Sequence, residues 1–183
     1  MNKPRSSRPR PRSSRPRRPF ARLPATAAAC LGLALAGGTA QAFGEEERKV
    51  VWHIGYGDVD RVASMLGSIN RMAQTWEGEL IDYDIRVVLR SGGIRFVTDD
   101  PLEDSGFAIE PGSEKDEQRR EILSRLQSLH TMYGVELELC DTTRQAVGLD
   151  HDRIMDNVGI VDSGIIRITE LQHDGYAYAQ VYR

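Results

Sequence analysis

The sequence lacks most of the patterns that announce a function. Of its 183 residues only two are cysteines, Cys30 and Cys140, and four are histidines. No His-x₃₋₅-His pair accompanies them, so a zinc site is not expected, and neither is any other metal. No Gly-x-Gly-x-x-Gly or Walker sequence is present, which leaves nucleotide cofactors without a motif. No Gly-x-Ser-x-Gly is present either, so serine hydrolysis has no support. No apolar run reaches the ~20 strongly apolar residues of a membrane anchor. Residues 1–42 carry no acidic side chain at all, against nine basic ones.

That last absence divides the chain. The formal net charge of −3 is a sum over two unlike parts, because residues 43–183 hold 15 basic and 27 acidic side chains, a net of −12. Residues 4–19 are almost entirely Arg, Pro and Ser, with nothing apolar to offset the entropy of ordering them. Phe20 follows, then an Ala/Leu/Gly run over 23–36, then Thr39, Ala40, Gln41 and Ala42. A charged segment, a short apolar segment and an Ala-x-Ala end make the layout of a secretory signal peptide over 1–42, cut after Ala42. A nucleic-acid-binding arm or an organelle transit peptide fits this layout less well. Arg17, Arg18 and Phe20 resemble a twin-arginine signal, with Pro16 and Ala21 as departures. Either export route ends outside the cytoplasm, and the periplasm is the expected location. Cys30 lies inside the apolar segment and leaves with it.

Residues 43–183 suffice for one domain. With Cys140 alone that domain has no internal disulfide, and a leftover thiol in an oxidising compartment is a candidate for reaction or intermolecular pairing. Its strong negative charge argues against nucleic acid and anionic membrane surfaces as partners, and no stable membrane insertion is expected after cleavage.

Hydrophobic periodicity predicts a strand over 49–54 and a helix capped by Asp58 that carries Val62, Met65, Leu66, Ile69, Met72, Ala73 and Trp76 on one face. Gly78 ends it. A second strand is predicted over 85–89, closing at Ser91, Gly92 and Gly93. Residues 98–118 read as a mobile acidic loop, a lid or, better, a solvated insertion. A helix over 121–133 follows, stopped by Gly134. A strand over 135–140, a short helix over 142–147, a strand over 158–161, a helix opening at Ser163 and a last alternating strand over 176–182 complete the chain. This alternation predicts an α/β fold, a single layered domain with a mostly parallel sheet of about five strands and helices on both faces.

Ligands of such sheets bind beyond the carboxyl ends of the strands. Three turns reach that edge: His53, Gly55, Tyr56 and Gly57; Arg90, Ser91, Gly92 and Gly93; and Cys140, Asp141, Thr142 and Thr143. Cys140 shares strand parity with Glu136 and Glu138, which places it on the wetter face. It also stands where a strand passes into a helix, and helix-terminal amides favour a thiolate. Glu138 and Asp141 pull the other way. A small buried apolar residue is the competing reading. His53 reads as a base for that thiol or as a hydrogen-bonded structural side chain.

The run 49–54, Asn70 in the first helix, 135–140 with Thr142, and Ser163-Gly164 leading to Leu171-Gln172 and Gly175-Tyr176-Ala177-Tyr178 together resemble the DsrE/DsrF-like family, its small exported members most of all. The resemblance spans about residues 48–182. It implies a compact α/β domain that forms homo-oligomers, and a cysteine after a central strand that carries a persulfide between partner proteins. Cys140 matches that cysteine. The expected site is then Cys140 as the sulfur-bearing group, with His53, Gly55, Tyr56, Ser91, Gly92, Gly93 and Thr142 binding around it. No cofactor is implied, and the expected partners are further copies of the chain and a sulfur donor or acceptor protein. The alternative is a non-catalytic oligomeric binding or assembly module of the same fold.

Overall fold

The computed structural model describes residues 47–180. The signal-peptide reading of 1–42, Cys30 and the end of the last predicted strand lie outside the described residues. Within them the β-branched run at the start forms β1 (Arg48–Ile54), and Asp58 accepts the Arg61 amide at 2.8 Å to cap α1 (Val59–Gly78). Val62, Met65, Leu66, Ile69 and Ala73 form the buried face of α1, as their spacing predicts. The chain continues through β2 (Tyr83–Leu89), a 3₁₀ turn over Ser91–Phe96, α2 (Glu114–Tyr133), β3 (Glu136–Cys140), α3 (Asp141–Ala146), β4 (Val158–Val161), α4 (Gly164–His173) and β5 (Ala177–Ala179). Gly134 ends α2 with φ of 65°, the left-handed cap that glycine adopts without strain.

All pairings are parallel and the strand order is β4-β3-β2-β1-β5. The first three crossovers step in one direction, so their helices and loops lie on one face under the right-handed rule. The crossover from β4 to β5 runs back past β1, which puts α4 on the other face. Two separate cores reflect this. The larger gathers the inner sides of α1 and α2 with Trp52, Ile85, Val87, Leu89, Ile94, Phe96 and Leu137. The smaller holds Val51 and Val88 of the sheet, Ile168 and Leu171 of α4, and Tyr176. The α/β class, the parallel sheet and helices on both faces are as the sequence predicts.

Two segments differ from expectation. Helix α2 begins at Glu114, not at 121, because Ser113 caps it by accepting the Asp116 amide at 3.2 Å. Its first two turns are polar, so hydrophobic periodicity does not reveal them. The acidic loop is accordingly 98–113, and it is packed against the domain. Leu102 and Ile109 are buried, and Phe107 lies against the larger core. Buried Asp116 accepts bonds from Arg119, Arg120 and the Gly112 amide, while Arg119 also donates to the Thr98 carbonyl. The loop is strapped at both ends by these contacts.

Candidate functional site around Cys140

Cys140 is the last residue of β3 and the N-cap of α3, paired in register with Val161 of β4. The chain leaves β3 toward the α1/α2 face, where Leu149 and Ile154 join the larger core, and leaves the adjacent β4 toward α4. Neighbouring strands whose connections depart to opposite faces open a crevice between them. Cys140 stands in that crevice.

The thiol is only 5 % exposed, so the expectation of a wetter face is corrected. Helix α4 starts directly over it: a Cβ on Gly164 would lie 3.2 Å from the Cys140 Cβ and 3.3 Å from a Val88 methyl. The absence of that carbon lets the first turn of α4 approach. Ser163, the N-cap of α4, makes no side-chain capping bond, and the Gly164 amide at the start of the helix faces the thiol. The surroundings of the sulfur are polar all the same. Burial pushes the thiol pKa up, but hydrogen bonds from the Gly164 and Thr143 amides, then from the Thr143 hydroxyl, outweigh it and hold the pKa below the ordinary thiol value.

The two threonines are not equivalent. The Thr143 hydroxyl accepts the Ser91 amide at 3.0 Å, which leaves its own proton for the sulfur. The Thr142 hydroxyl donates to the Asp162 carbonyl at 3.0 Å, so its proton is already engaged. Neither acidic neighbour that sequence proximity set against a thiolate stands alone: Glu138 is paired with Arg86 and Arg167, and Asp141 with Arg144.

A cleft of about 290 Å³ opens beside the sulfur. Arg90 and Ser91 from the end of β2, Thr142, Thr143 and Ala146 from α3, and Ser163 and Ile165 at the start of α4 line it, and Phe107 of the acidic loop adds an aromatic wall. Arg90 is the one charged residue among those lining it.

Of the residues expected around Cys140, Ser91 and Thr142 reach the cleft and the others do not line it. Gly92 and Gly93 are packing positions: a Cβ on either would come within 2.5 Å of backbone at Gly57 or Ile54. Gly55 lies against the His53 ring, and the Tyr56 ring carries the Arg61 guanidinium 3.8 Å above it. His53 pairs with Val88, which pairs with Glu138, so β2 separates it from β3 by two strand spacings of ~4.8 Å each. Its Nδ1 is 3.1 Å from the Tyr178 hydroxyl, on the opposite side of β1 from Cys140, and its Nε2 has no hydrogen-bond partner. A His53–Cys140 base–nucleophile dyad is therefore not formed. Burial, reinforced by the positive charge of Arg90, holds the His53 pKa below its ordinary value. Gly164 and Phe107 are the site residues that the sequence does not place at this edge, whereas Arg90 and Thr143 lie in turns that it does. The Ser163-Gly164 pair, a helix start with a missing Cβ, is the signal that points to one of them.

Among the described residues no group of three or more His, Cys, Asp or Glu side chains is arranged to hold a metal ion. The model of the DsrE/DsrF-like family matches residues 56–180. Among solved structures the chain is similar to MTH1491, a protein of unknown function from Methanobacterium thermoautotrophicum, at 26 % identity and a TM-score of 0.54, over 74 % of this chain and 100 % of that one. It is also similar to the ychN protein from E. coli, at 20 % identity and a TM-score of 0.42, over 74 % of this chain and 99 % of that one. No curated protein matches it.

Proposed function

Since the chain belongs to the DsrE/DsrF-like family, which is linked to sulfur metabolism, we propose that its domain is exported and carries sulfur as a persulfide on Cys140. The observation that carries this reading is the state of the thiol. It is withdrawn from bulk water, yet hydrogen bonds from the Gly164 and Thr143 amides hold its pKa below the ordinary thiol value, and it stands on the wall of an open cleft. The chemistry asked of it is modest. The Cys140 thiolate attacks the outer sulfur of a donor persulfide, a new sulfur–sulfur bond forms, the donor's own sulfur–sulfur bond breaks, and the donor departs as a thiolate. No external oxidant or metal enters the balance. Phe107, Ala146 and Ile165 supply an apolar wall beside the terminal sulfur, and Arg90 a counter-charge for an anionic donor. This is a sulfur carrier or transferase, neither hydrolase nor oxidoreductase.

Homo-oligomer formation and exchange with a donor or acceptor protein belong to the same proposal. Ile160, Ile165 and Ile166, exposed at the end of β4 and the start of α4, are the apolar side chains that support it, and Ile165 also lines the cleft. They equally favour the second reading, a binding or assembly module in which the thiol is idle. Exposure of the protein to a low-molecular-weight persulfide or to thiosulfate separates the two. Mass spectrometry of the Cys140 peptide is expected to show about 32 Da per added sulfur, absent in Cys140→Ser. A thiol that stays unmodified in the folded protein overturns the carrier reading.

A further inference from the structure

We propose that Glu138 and Arg167 form a positioning clamp that fixes the start of α4 against β3 and so holds the Gly164 amide on the Cys140 sulfur. The inference rests on the reading of Cys140 as the working thiol. Glu138 lies two residues before Cys140 on the same face of β3, and Arg167 lies one helical turn after Gly164 on α4. The pair is bidentate: Arg167 Nε donates to one Glu138 oxygen at 2.8 Å and Nη2 to the other at 2.7 Å. A planar fork on a carboxylate fixes angle as well as distance, which a single contact does not. Glu138 is 6 % exposed, and its Oε1 also accepts from Arg86 Nη1 of β2 at 2.9 Å. Arg86 is bonded in turn to Asp84 and to the Tyr176 hydroxyl, 3.0 Å away.

The apolar contacts of α4 do not do this job. Its buried aliphatic side chains, Ile168 and Leu171, cluster with Val51 and Val88 of β1 and β2. The polar tie to β3, in the turn that carries the Gly164 amide, is the Glu138–Arg167 pair. Placing a carboxylate two residues from a thiol that must ionise is electrostatically unfavourable. The arrangement makes sense if the geometric gain exceeds that cost. Few other charges face the thiol: Arg90 from the end of β2, Asp141 paired with Arg144 on α3, and exposed Asp162 at the end of β4. His53 of β1 lies beyond Arg90.

The test follows iodoacetamide alkylation of the full chain from about pH 5 to about 10, read on the Cys140 peptide so that Cys30 does not contribute. Glu138→Gln and Arg167→Lys are each expected to raise the midpoint, slowing alkylation at neutral pH by about 3- to 10-fold while leaving the high-pH plateau unchanged. The double variant is expected to fall no further than the larger single, since both break one device. Charge alone predicts the reverse: Glu138→Gln would speed alkylation at neutral pH and Arg167→Lys would leave it unchanged. Either result overturns the clamp. Circular dichroism checks folding, and if Glu138→Gln does not fold, an unshifted profile in Arg167→Lys is enough to overturn it. Shifted midpoints in a protein whose Cys140 takes no sulfur from a donor sink the carrier reading and keep the clamp. Sulfur loading with unmoved midpoints does the opposite.

Discussion

The face of the sheet beneath α1 and α2 is closed by aliphatic and aromatic side chains, whereas the face beneath α4 sets a short apolar patch beside a chain of ion pairs. The first arrangement is bought by sequence alone: amphipathic helices bury one stripe each, and the larger core follows from their spacing. The second gives buried Glu138 and half-buried Asp84, Arg86 and Arg167 to ion pairs, side chains that a hydrophobic replacement would often match in stability. What this face gains is a defined place for the start of α4, and that start meets Cys140. One face sustains the fold, and the other, on the proposed reading, sets the reactivity of the thiol.

The division breaks most readily where the stability effect is largest. Leu126 is fully buried in the larger core, and Leu126→Ala is expected to cost about 2–5 kcal/mol in urea unfolding. Its Cys140 alkylation midpoint should stay at the wild-type value. A midpoint that moves with stability would mean that the two faces are not separable.

Charge occurs on the α2 side too, but there it straps a loop. Burial acts to raise the Asp116 pKa, yet the Arg120 side chain first, then the Gly112 amide and Arg119, hold it far below the usual carboxylate range. Asp116→Asn is expected to cost about 1–3 kcal/mol at neutral pH, since Arg119 is left buried without its charge partner. The sign of the pH dependence follows. A carboxyl with a depressed folded-state pKa stabilises fully above its unfolded value of about 3.9, and that contribution is lost as pH falls through the folded value. Unfolding curves of Asp116→Asn and wild type should therefore converge as pH falls below about 4. A gap that persists unchanged in acid removes the ion pair as its cause.

The same contrast explains what the sequence reveals. Val62, Met65, Leu66 and Ile69 announce α1 because a buried stripe repeats at helical spacing. Cys140 is legible as a lone thiol at a strand end. Arg90 and Thr143 are legible as members of turns at the ligand edge, but Phe107 is not, because it reaches the cleft only through a packed loop that is not encoded locally. His53, Gly92 and Gly93 mislead for a related reason. A strand end and glycine turns look alike whether they face a ligand or, as with the two glycines, another stretch of backbone. The first turns of α2 escape periodicity because Glu114, Lys115 and Glu117 are exposed and Gln118 is polar; the Ser113 and Asp116 spacing is the signal that marks them.

The smallest stability effect belongs to the position where the two functions of α4 separate most sharply. Gly164 is the first residue of the helix, and alanine there gains up to about 1 kcal/mol of helix propensity. The added Cβ would stand 3.2 Å from the Cys140 Cβ and 3.3 Å from Val88, so α4 must retreat by a few tenths of an ångström. The two terms oppose each other, and the net change in stability is expected to stay within about 1 kcal/mol. The amide of residue 164, however, moves away from the sulfur with the helix. Gly164→Ala should therefore raise the Cys140 alkylation midpoint and slow its loading by a persulfide donor, in a protein that unfolds at nearly the wild-type denaturant concentration. Unchanged reactivity in that variant would mean that Thr143, not the start of α4, holds the thiolate, and the site would shift from the α4 face to the turn between β3 and α3.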